Sequence, residues 1–376
     1  MKPIILSSIE AFAYRAPIAT PIRLAFGTFR DRPLVLVRVV DGEGHEGFGE
    51  IWCNWPPVGA EHRARLAADV GERLIGQTFA TPADLFHTLS RDLEVLVLQT
   101  GEVGPIAQVI AGIDIAVCDL AARREDLPLY RFCGGSPRDR VPVYATGINP
   151  DRPEAFALER QAEGHRAFKL KIGFGTDRDV RNLKAMRDAL GPDAEIMADA
   201  NQAFDLETAL AFATAIDPLG LRWLEEPLRV DAPALHWEEL ARRAGAPLAG
   251  GENLRGDDLV AACCGKIYKY IQPDATKWGG VTGSLAVARS AVAAGKAYCP
   301  HVFGGGIALL ASLHVLAAVG GDGTLELDCH PNAGREAIVG SLLPVSDGSV
   351  PVPQTPGLGA TPDFATLERY RTWPPR

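Results

Sequence analysis

Residues 167–172, AFKLKI, form a short apolar run that contains Lys171 and is followed by an amphipathic stretch. The next such run, EIMADA at residues 195–200, places Asp199 roughly 28 positions after Lys171. A strand, a helix and two short loops together need about that length. The two runs therefore predict consecutive strand–helix units of one parallel sheet.

The same rhythm continues over eight runs, and each run ends at a polar side chain that lies roughly 22 to 28 positions from the next. Eight such units close into a (β/α)8-type barrel, a modified TIM barrel with its functional groups at the carboxyl ends of the strands. Loops often begin with polar residues, but that tendency does not explain a polar residue at the end of each of eight regularly spaced runs. The predicted strand-end residues are Thr146, Lys171, Asp199, Glu225, Glu252, Asp274, His301 and Glu326.

The flanking segments predict a second structural module. Residues 34–40 alternate in polarity and precede a glycine-rich turn, which indicates a β-hairpin, and the later spacing becomes helical. The C-terminal segment is rich in proline and glycine and is expected to return to this module. The predicted domains are an α+β capping (lid) domain at residues 1–135, the barrel at 136–340, and the segment at 341–376 that completes the capping domain.

Composition narrows the function classes. The chain has 376 residues, 47% of them hydrophobic, and a formal charge of −9, which argues against a nucleic-acid partner. No sustained apolar run of membrane-spanning length stands out, so no membrane partner is expected. The seven cysteines form no CxxC or CxxH pair, so neither a disulfide framework nor a zinc site is indicated, and the expected location is the cytoplasm.

Lys169 and Lys171 are two residues apart in a predicted strand, so both side chains point into the barrel mouth. Burying two ammonium groups side by side is unfavourable unless anions face them. Mutual repulsion and desolvation are expected to lower the pKa of each lysine, which makes Lys171 a usable base near neutral pH. The alternative is a solvated edge strand with two surface lysines.

Three consecutive runs end in the carboxylates Asp199, Glu225 and Glu252. A converging set of oxygen donors without cysteine or histidine favours Mg²⁺ over zinc. Glu226 directly follows Glu225 and is expected to face the opposite side, so only one of the two is a predicted ligand. Asn201 shares a face with Asp199 and is expected either to contact metal or substrate, or to form a turn.

Asp274 and His301 end adjacent runs and are expected to lie within hydrogen-bond distance. A carboxylate bonded to one imidazole nitrogen fixes the tautomer and raises the basicity of the other. Two roles fit the glycines at residues 304–306: an anion-binding loop at a helix N-terminus, or a plain strand-to-helix turn.

Short motifs follow one another in a fixed order along the barrel region. They are Lys169-x-Lys171, Asp199-x-Asn201, Glu225-Glu226-Pro227, Gly251-Glu252-Asn253, Pro273-Asp274 with Lys277-x-Gly279-Gly280, and Pro300-His301. The set resembles the mandelate racemase subgroup of the enolase superfamily, and residues 111–120 are similar to its N-terminal-domain helix. The resemblance extends over essentially the whole chain.

The resemblance implies abstraction of the proton next to a carboxylate, with Mg²⁺ as cofactor and a small carboxylic acid as substrate. It also implies a homo-oligomer. Asp274 stands where the muconate-lactonizing branch normally has a lysine, which argues against that branch and against dipeptide epimerases and succinylbenzoate synthases. The implied roles are Mg²⁺ ligands at Asp199, Glu225 and Glu252, a base at Lys171, a substrate-carboxylate contact at Lys169, an Asp274–His301 dyad on the opposite face, and a protonated Glu326 donating to the enolate.

The fate of the enolate separates the candidate reactions. The first is dehydration of a polyhydroxy or sugar acid to a 2-keto-3-deoxy acid, because the resemblance implies it most directly. Racemisation or epimerisation of a 2-hydroxy acid and cycloisomerisation of a sugar-acid lactone are the alternatives. A barrel that binds metal and anion without turnover predicts a broken acid/base set, and a Schiff-base aldolase using Lys171 does not need three clustered carboxylates.

Substrate identity is expected to depend on two loops, residues 16–27 and 52–57, that fold over the barrel mouth and exclude water. Two tryptophans in the second loop predict a partly aromatic wall. The predicted substrate-binding residues are Thr146, Asn201, Trp52, Trp55 and Arg23.

Overall fold

The computed structural model describes residues 2–24 and 27–375, without the side chains of Arg23 and Leu24. The strands are β1 (Ile4–Leu24), β2 (Gly27–Asp41), β3 (Glu46–Ile51), β4 (Thr78–Phe79), β5 (Arg140–Ile148), β6 (Ala167–Lys171), β7 (Glu195–Asp199), β8 (Trp223–Glu225), β9 (Leu248–Gly250), β10 (Tyr268–Ile271), β11 (Ala297–Tyr298), β12 (Leu325–Asp328), β13 (Ser349–Pro351) and β14 (Arg371–Trp373). The helices are α1 (Gly59–Glu72), α2 (Pro82–Asp92), α3 (Glu94–Thr100), α4 (Val103–Arg124), α5 (Leu129–Phe132), α6 (Pro153–Ala162), α7 (Thr176–Leu190), α8 (Leu206–Ile216), α9 (Ala234–Arg243), α10 (Gly256–Cys264), α11 (Gly280–Ala293), α12 (Gly306–Val319), α13 (Ala333–Val339) and α14 (Phe364–Leu367). Two 3₁₀ turns complete the elements, Asp217–Leu219 and Glu368–Tyr370.

Eight parallel strands, β5 to β12, form the curled sheet of the barrel. They are hydrogen-bonded in chain order from β5 to β11, and β12 pairs with β5. The two ends of the sheet meet at Gly323, where an added Cβ would lie 2.0 Å from the carbonyl oxygen of Tyr298. Each of the eight runs read from the sequence overlaps one of these strands. The predicted (β/α)8-type barrel is confirmed.

The N-terminal segment forms an antiparallel sheet in the order β14-β1-β2-β3. The hairpin β1–β2 is longer than predicted, because residues 16–24 extend β1 instead of forming a loop. At the other edge, β14 pairs with β1 through Ala13 and Trp373, so the C-terminal segment completes this sheet. The predicted α+β capping module is confirmed, while the boundaries at residues 135 and 340 remain predictions.

Helix α4 is the central helix of the capping module. It is long and apolar enough to cross a membrane by composition, with a mean hydropathy of 1.6, but 78% of that stretch is buried inside the protein. It packs on β3 so closely that a Cβ on Gly49 would lie 1.9 Å from the carbonyl oxygen of Gly112. Its burial identifies α4 as a core helix.

Two buried aspartates of α4 bind distant segments of the chain. Asp114 accepts hydrogen bonds from the backbone and side chain of Thr282 in α11. Asp119 accepts from the backbone N–H groups of Phe48 in β3 and Leu358 in the C-terminal segment. Both carboxylates therefore join the capping module to parts of the chain far away in sequence.

We expect Gly323→Ala to destabilise the protein by about 1–3 kcal/mol, because the added methyl group overlaps the Tyr298 carbonyl where the barrel ends meet. Gly42→Ala is the matched control, since a Cβ there meets nothing within 4 Å. Thermal unfolding of both variants measures the difference. Equal unfolding temperatures would show that this junction tolerates a larger separation.

Candidate active site

A cavity of about 830 Å³ lies between the capping module and the carboxyl ends of the barrel strands. Six of the predicted site residues line it. They are Lys171, His301, Glu252, Asn201, Trp52 and Trp55. The other lining residues are Phe29, Asn54, Pro56, Pro57, Gln108, Gln202, Arg229, Asn253, Arg255, Lys277 and Phe303.

Five further predicted residues are buried at the barrel mouth and are not among the residues that line this cavity. They are Lys169, Asp199, Glu225, Asp274 and Glu326. Thr146 is also buried within β5 and lies outside the cavity lining. The side chain of Arg23 lies outside the described residues. The roles of all these residues remain predictions.

Both lysines of β6 point into the barrel mouth, as strand geometry predicts, and each is buried against carboxylates. The Lys171 Nζ contacts Asp199 at the end of the neighbouring strand β7. The Lys169 Nζ lies 2.6 Å from Glu225 and 2.9 Å from Glu326. The alternative of a solvated edge strand is wrong, because Lys169 is fully buried and β6 has a neighbour on both sides.

The expected lowering of the lysine pKa values is also wrong for this arrangement. Burial disfavours both ammonium groups, and repulsion from Lys169 opposes the charge on Lys171. Asp199, Glu225 and Glu326 together outweigh these effects and raise the pKa of Lys171, and Glu225 and Glu326 raise the pKa of Lys169 well above its usual value. The carboxylates packed around the two ammonium groups outweigh the repulsion and desolvation that the sequence predicted.

The three predicted metal ligands come from successive strands. Asp199 and Glu225 are register partners at the ends of β7 and β8, and Glu252 follows β9 by two residues. Among the described residues, no three His, Cys, Asp or Glu side chains stand together as a formed metal cage. Each carboxylate instead contacts a cation: Lys171 for Asp199, Lys169 for Glu225, and Lys277 for Glu252 at 3.1 Å.

The donor set nevertheless fits a hard divalent cation. All three side chains offer only oxygen atoms, which Mg²⁺ prefers. Burial, and then the charge of Asp199, raise the pKa of Glu225 to about 7 although Lys169 is in contact with it. A cation bound beside Glu225 would favour its ionised form.

Glu226 differs from its prediction. Its backbone is left-handed, with φ 37°, so the alternation of β8 ends there. The carboxylate is buried, accepts a hydrogen bond from Asn253 at 2.7 Å, and lies near enough to Glu252 for that charge to raise its pKa. Strand periodicity placed Glu226 on the opposite side from Glu225, and the left-handed residue overrides that placement.

Asn201 forms the turn that its sequence position allowed, while its contact with metal or substrate remains a prediction. Its backbone N–H donates to Asp199 Oδ1 at 2.8 Å in a left-handed turn, and its side chain donates to Oδ2 of the same carboxylate. It also lines the cavity. Asn201 therefore fixes the Asp199 carboxylate while presenting a polar group to the cavity.

Asp274 and His301 form the predicted dyad. The Nδ1 atom of His301 lies 2.8 Å from Asp274, and Nε2 lies 3.1 Å from Glu252. Asp274 is fixed in turn by the backbone N–H and hydroxyl of Thr276. Burial disfavours the imidazolium, but Glu252, Glu326 and Asp274 outweigh it and raise the pKa of His301 to about 9. Asp274 thus holds Nδ1 of His301, and Nε2 points towards the carboxylate cluster.

Glu326 lies inside β12, not at its end, and it is an acceptor in this structure. It accepts from the backbone N–H of Val302 at 3.0 Å and from Lys169. Burial favours the neutral acid, but Lys169 and then His301 lower the pKa of Glu326 below its usual value. In this arrangement Glu326 is a hydrogen-bond acceptor, and its role as a protonated donor to the enolate remains a prediction.

The glycines at residues 304–306 do form a helix N-terminus, and a carboxylate of the protein itself occupies it. Glu50 of β3 accepts from the backbone N–H groups of Gly305 and Ala308 at the start of α12. A Cβ at Gly304 would lie 2.5 Å from Glu50 Oε1. Burial raises the pKa of Glu50 to about 7, although the backbone N–H groups oppose this effect. This anchor to the capping module was not predicted, because Glu50 and Gly305 are 255 residues apart.

One wall of the cavity is aromatic. The ring of Phe29 lies 4.7 Å from that of Trp55 and 5.5 Å from that of Phe303. Trp52 lies under the ammonium group of Lys277, 5.1 Å from its ring centroid. Lys277 belongs to the motif Lys277-x-Gly279-Gly280 but had no assigned role, and Phe303 follows the motif Pro300-His301 by two residues. The wall is wider than the two predicted tryptophans suggested.

Comparison with known proteins matches nearly the whole chain. Residues 8–134 match the family described as mandelate racemase / muconate lactonizing enzyme, N-terminal domain, and residues 153–366 match enolase C-terminal domain-like. D-galactarolactone cycloisomerase from Agrobacterium fabrum is 32% identical, over 97% of this chain and 98% of the relative. Further relatives at 27–30% identity are named as dehydratases, cycloisomerases or racemases.

Solved structures agree with this relationship. A mandelate racemase/muconate lactonizing enzyme from Bordetella bronchiseptica RB50 is 47% identical, covers 98% of this chain and 100% of its own, and has a TM-score of 0.91. An enolase from Bradyrhizobium complexed with magnesium and mandelic acid is 28% identical over 99% of both chains, with a TM-score of 0.86.

We expect Glu50→Ala to destabilise the protein by about 1–2 kcal/mol, because it leaves the buried N–H groups at the start of α12 without their acceptor. Asp205→Ala is the matched control, since it removes an exposed cap that accepts from Thr208 at the start of α8. Thermal unfolding of both variants measures the effect. A smaller loss for Glu50→Ala than for the control would contradict the anchoring role of Glu50.

Proposed function

This chain belongs to the mandelate racemase / muconate lactonizing enzyme family of the enolase superfamily, and we propose that it moves the proton next to a carboxylate with Lys171 and His301. Relatives are lyases or isomerases, and the chain is an enzyme of one of these classes. The observation that carries the proposal is that Lys171 and His301 both line one cavity and contact different members of one carboxylate cluster.

Asp199, Glu225 and Glu252 are the proposed Mg²⁺ ligands, and their oxygen-only donor set supports this assignment. Bound there, Mg²⁺ supplies Lewis-acid stabilisation of the negative charge that develops on the substrate carboxylate. Solved relatives crystallised with magnesium add support. Lys171 is buried beside Asp199 and His301 beside Glu252, so both bases border the proposed metal site.

The proposed reaction begins when Lys171 Nζ or His301 Nε2, in its neutral form, removes the α-proton. A cation held by Asp199 and Glu252 would compete for the carboxylates that raise the pKa values of these two groups, and so would favour their neutral forms. The electron pair of the broken C–H bond moves into the carboxylate and forms an enolate. Asp274 holds His301 Nδ1, so Nε2 is the nitrogen available for proton transfer. The cavity lies beneath the capping module, and its aromatic wall excludes water from the reacting carbon.

Dehydration of a sugar acid is the first proposed outcome. In this reaction the enolate expels a β-hydroxyl group. The residue on the second face, in its protonated form, donates a proton to this group, which leaves as water. The resulting enol gains a proton and becomes a 2-keto-3-deoxy acid. Polar side chains on the barrel side of the cavity, among them Asn201, Gln202 and Asn253, support a substrate with several hydroxyl groups.

Cycloisomerisation of a sugar-acid lactone is the second candidate. The cycloisomerase relative, similar over nearly its full length, favours it, and so does the aromatic wall, since a ring presents an apolar face that an open chain lacks. Racemisation of a 2-hydroxy acid follows if the second base returns the proton. The cytoplasmic location and the homo-oligomeric state remain predictions.

Incubation with four- to six-carbon aldonic and aldaric acids and their lactones distinguishes these outcomes. We expect at least one acid to give a semicarbazide-positive 2-keto acid, and Trp52→Ala or Trp55→Ala to change which acids react, because both side chains line the cavity. A lactone converted to an isomer of unchanged mass identifies the cycloisomerase. A 2-hydroxy acid that loses optical rotation at constant concentration identifies the racemase.

In deuterated water, Lys171→Ala and His301→Asn are each expected to abolish α-proton exchange for one substrate configuration, by at least about 100-fold, while exchange of the other continues. Each residue serves one face of the reacting carbon. Lys184→Ala and His236→Asn are matched controls on exposed helix positions. NMR of the α-proton measures exchange. A variant that exchanges both configurations at the wild-type rate excludes that residue as a base.

A further inference from the structure

Three donors hold the carboxylate of Glu225. The indole Nε1 of Trp223 donates to Oε2 at 3.0 Å, and the amide Nε2 of Gln272 donates to the same oxygen at 2.7 Å. The ammonium group of Lys169 donates to Oε1 at 2.6 Å. Two neutral N–H groups therefore share one oxygen, and a single cation binds the other.

The lone pairs of this carboxylate are nearly all in use. An ionised carboxylate offers about four acceptor sites, two on each oxygen. Trp223 and Gln272 fill both sites on Oε2, and Lys169 fills one on Oε1. The remaining acceptor site belongs to Oε1.

Trp223 cannot swing away from its position. It lies two residues before Glu225 in β8 and therefore shares its face of the strand. The fully buried indole packs edge-on against Tyr144 at 5.2 Å and lies 4.8 Å from Tyr270. Packing inside the barrel fixes the direction of its N–H group.

Gln272 follows β10 and reaches Glu225 across the barrel interior. Its backbone N–H donates to Gly250, which fixes the start of the side chain. Its own Oε1 is buried and accepts a hydrogen bond from none of the described residues. A half-satisfied buried amide is unfavourable, so a purely structural position would favour an apolar residue. The hydrogen bond that its N–H group donates to Glu225 is therefore the contribution of the amide to this site.

We propose that Trp223 and Gln272 are positioning residues that direct Oε1 of Glu225, and that atom alone, to the metal. This inference rests on the proposed Mg²⁺ site at Asp199, Glu225 and Glu252. Neither positioning residue lines the cavity, so both act through Glu225 and not on the substrate. Because both donors are neutral, they orient the carboxylate without cancelling its charge.

The test measures Mn²⁺ binding to the full-length protein after removal of bound metal with a chelator. Calorimetric titration gives the Kd, and electron paramagnetic resonance counts free Mn²⁺. Gln272→Met and Trp223→Phe each delete one N–H donor and retain bulk, so each is expected to weaken binding by about 10- to 100-fold. Gln354→Met and Trp237→Phe are matched controls whose N–H groups bond backbone carbonyls and not Glu225, and they should bind within about twofold of wild type.

The wild type and Glu252→Gln test the proposed metal site separately. If the wild type binds no Mn²⁺, or Glu252→Gln binds as tightly, the metal site itself fails and the inference is overturned with it. If the wild type binds Mn²⁺ at this site and both Gln272→Met and Trp223→Phe retain wild-type affinity, only the inference about the two positioning residues is overturned. A crystal structure of the wild type with Mn²⁺ decides the matter if the variants do not fold: coordination through Oε1 alone supports the proposal, and coordination through Oε2 or both oxygens contradicts it.

Discussion

The contact of the buried Lys169 ammonium group with carboxylates is the interaction on which the barrel mouth depends. Its Nζ lies 2.6 Å from Glu225, 2.9 Å from Glu326 and 3.7 Å from Asp199. These carboxylates belong to β7, β8 and β12, so one side chain of β6 joins three other strands. Removing one member of such a buried cluster leaves an uncompensated charge, which typically destabilises a protein by about 3–5 kcal/mol. The proposed chemistry therefore uses the same charges that hold the strand ends together.

The barrel and most of its strand-end residues could be predicted, because both follow from local rules. The length of a strand–helix unit sets the spacing from Lys171 to Asp199 and onwards, and a side-chain period of two residues places Lys169 beside Lys171. Strand order then brings Asp274 next to His301. None of these steps requires knowledge of how distant side chains pack.

The features that the sequence did not predict depend on such packing or on single backbone angles. The left-handed conformation of Glu226 ends the alternation of β8, and no periodicity reveals it. The contacts of Glu326 with Lys169 and of Gln272 with Glu225 form across the barrel, where spacing along the chain does not predict them. In the capping module, the sequence predicted a loop at residues 16–27, which contain Pro17 and Pro21. Pairing with β2 continues beyond them after a register shift between Pro17 and Ile22.

The contact of Glu50 with the start of α12 limits how freely the two modules can be interchanged. The carboxylate comes from the capping module, whereas the room for it comes from Gly304 and Gly305 of the barrel. A capping module taken from a relative would need an acid at the position of Glu50, or it would leave the helix end buried without an acceptor. A barrel with larger residues at the two glycines would exclude that acid. New specificities built by exchanging modules must therefore transfer the acid and the glycines as one unit.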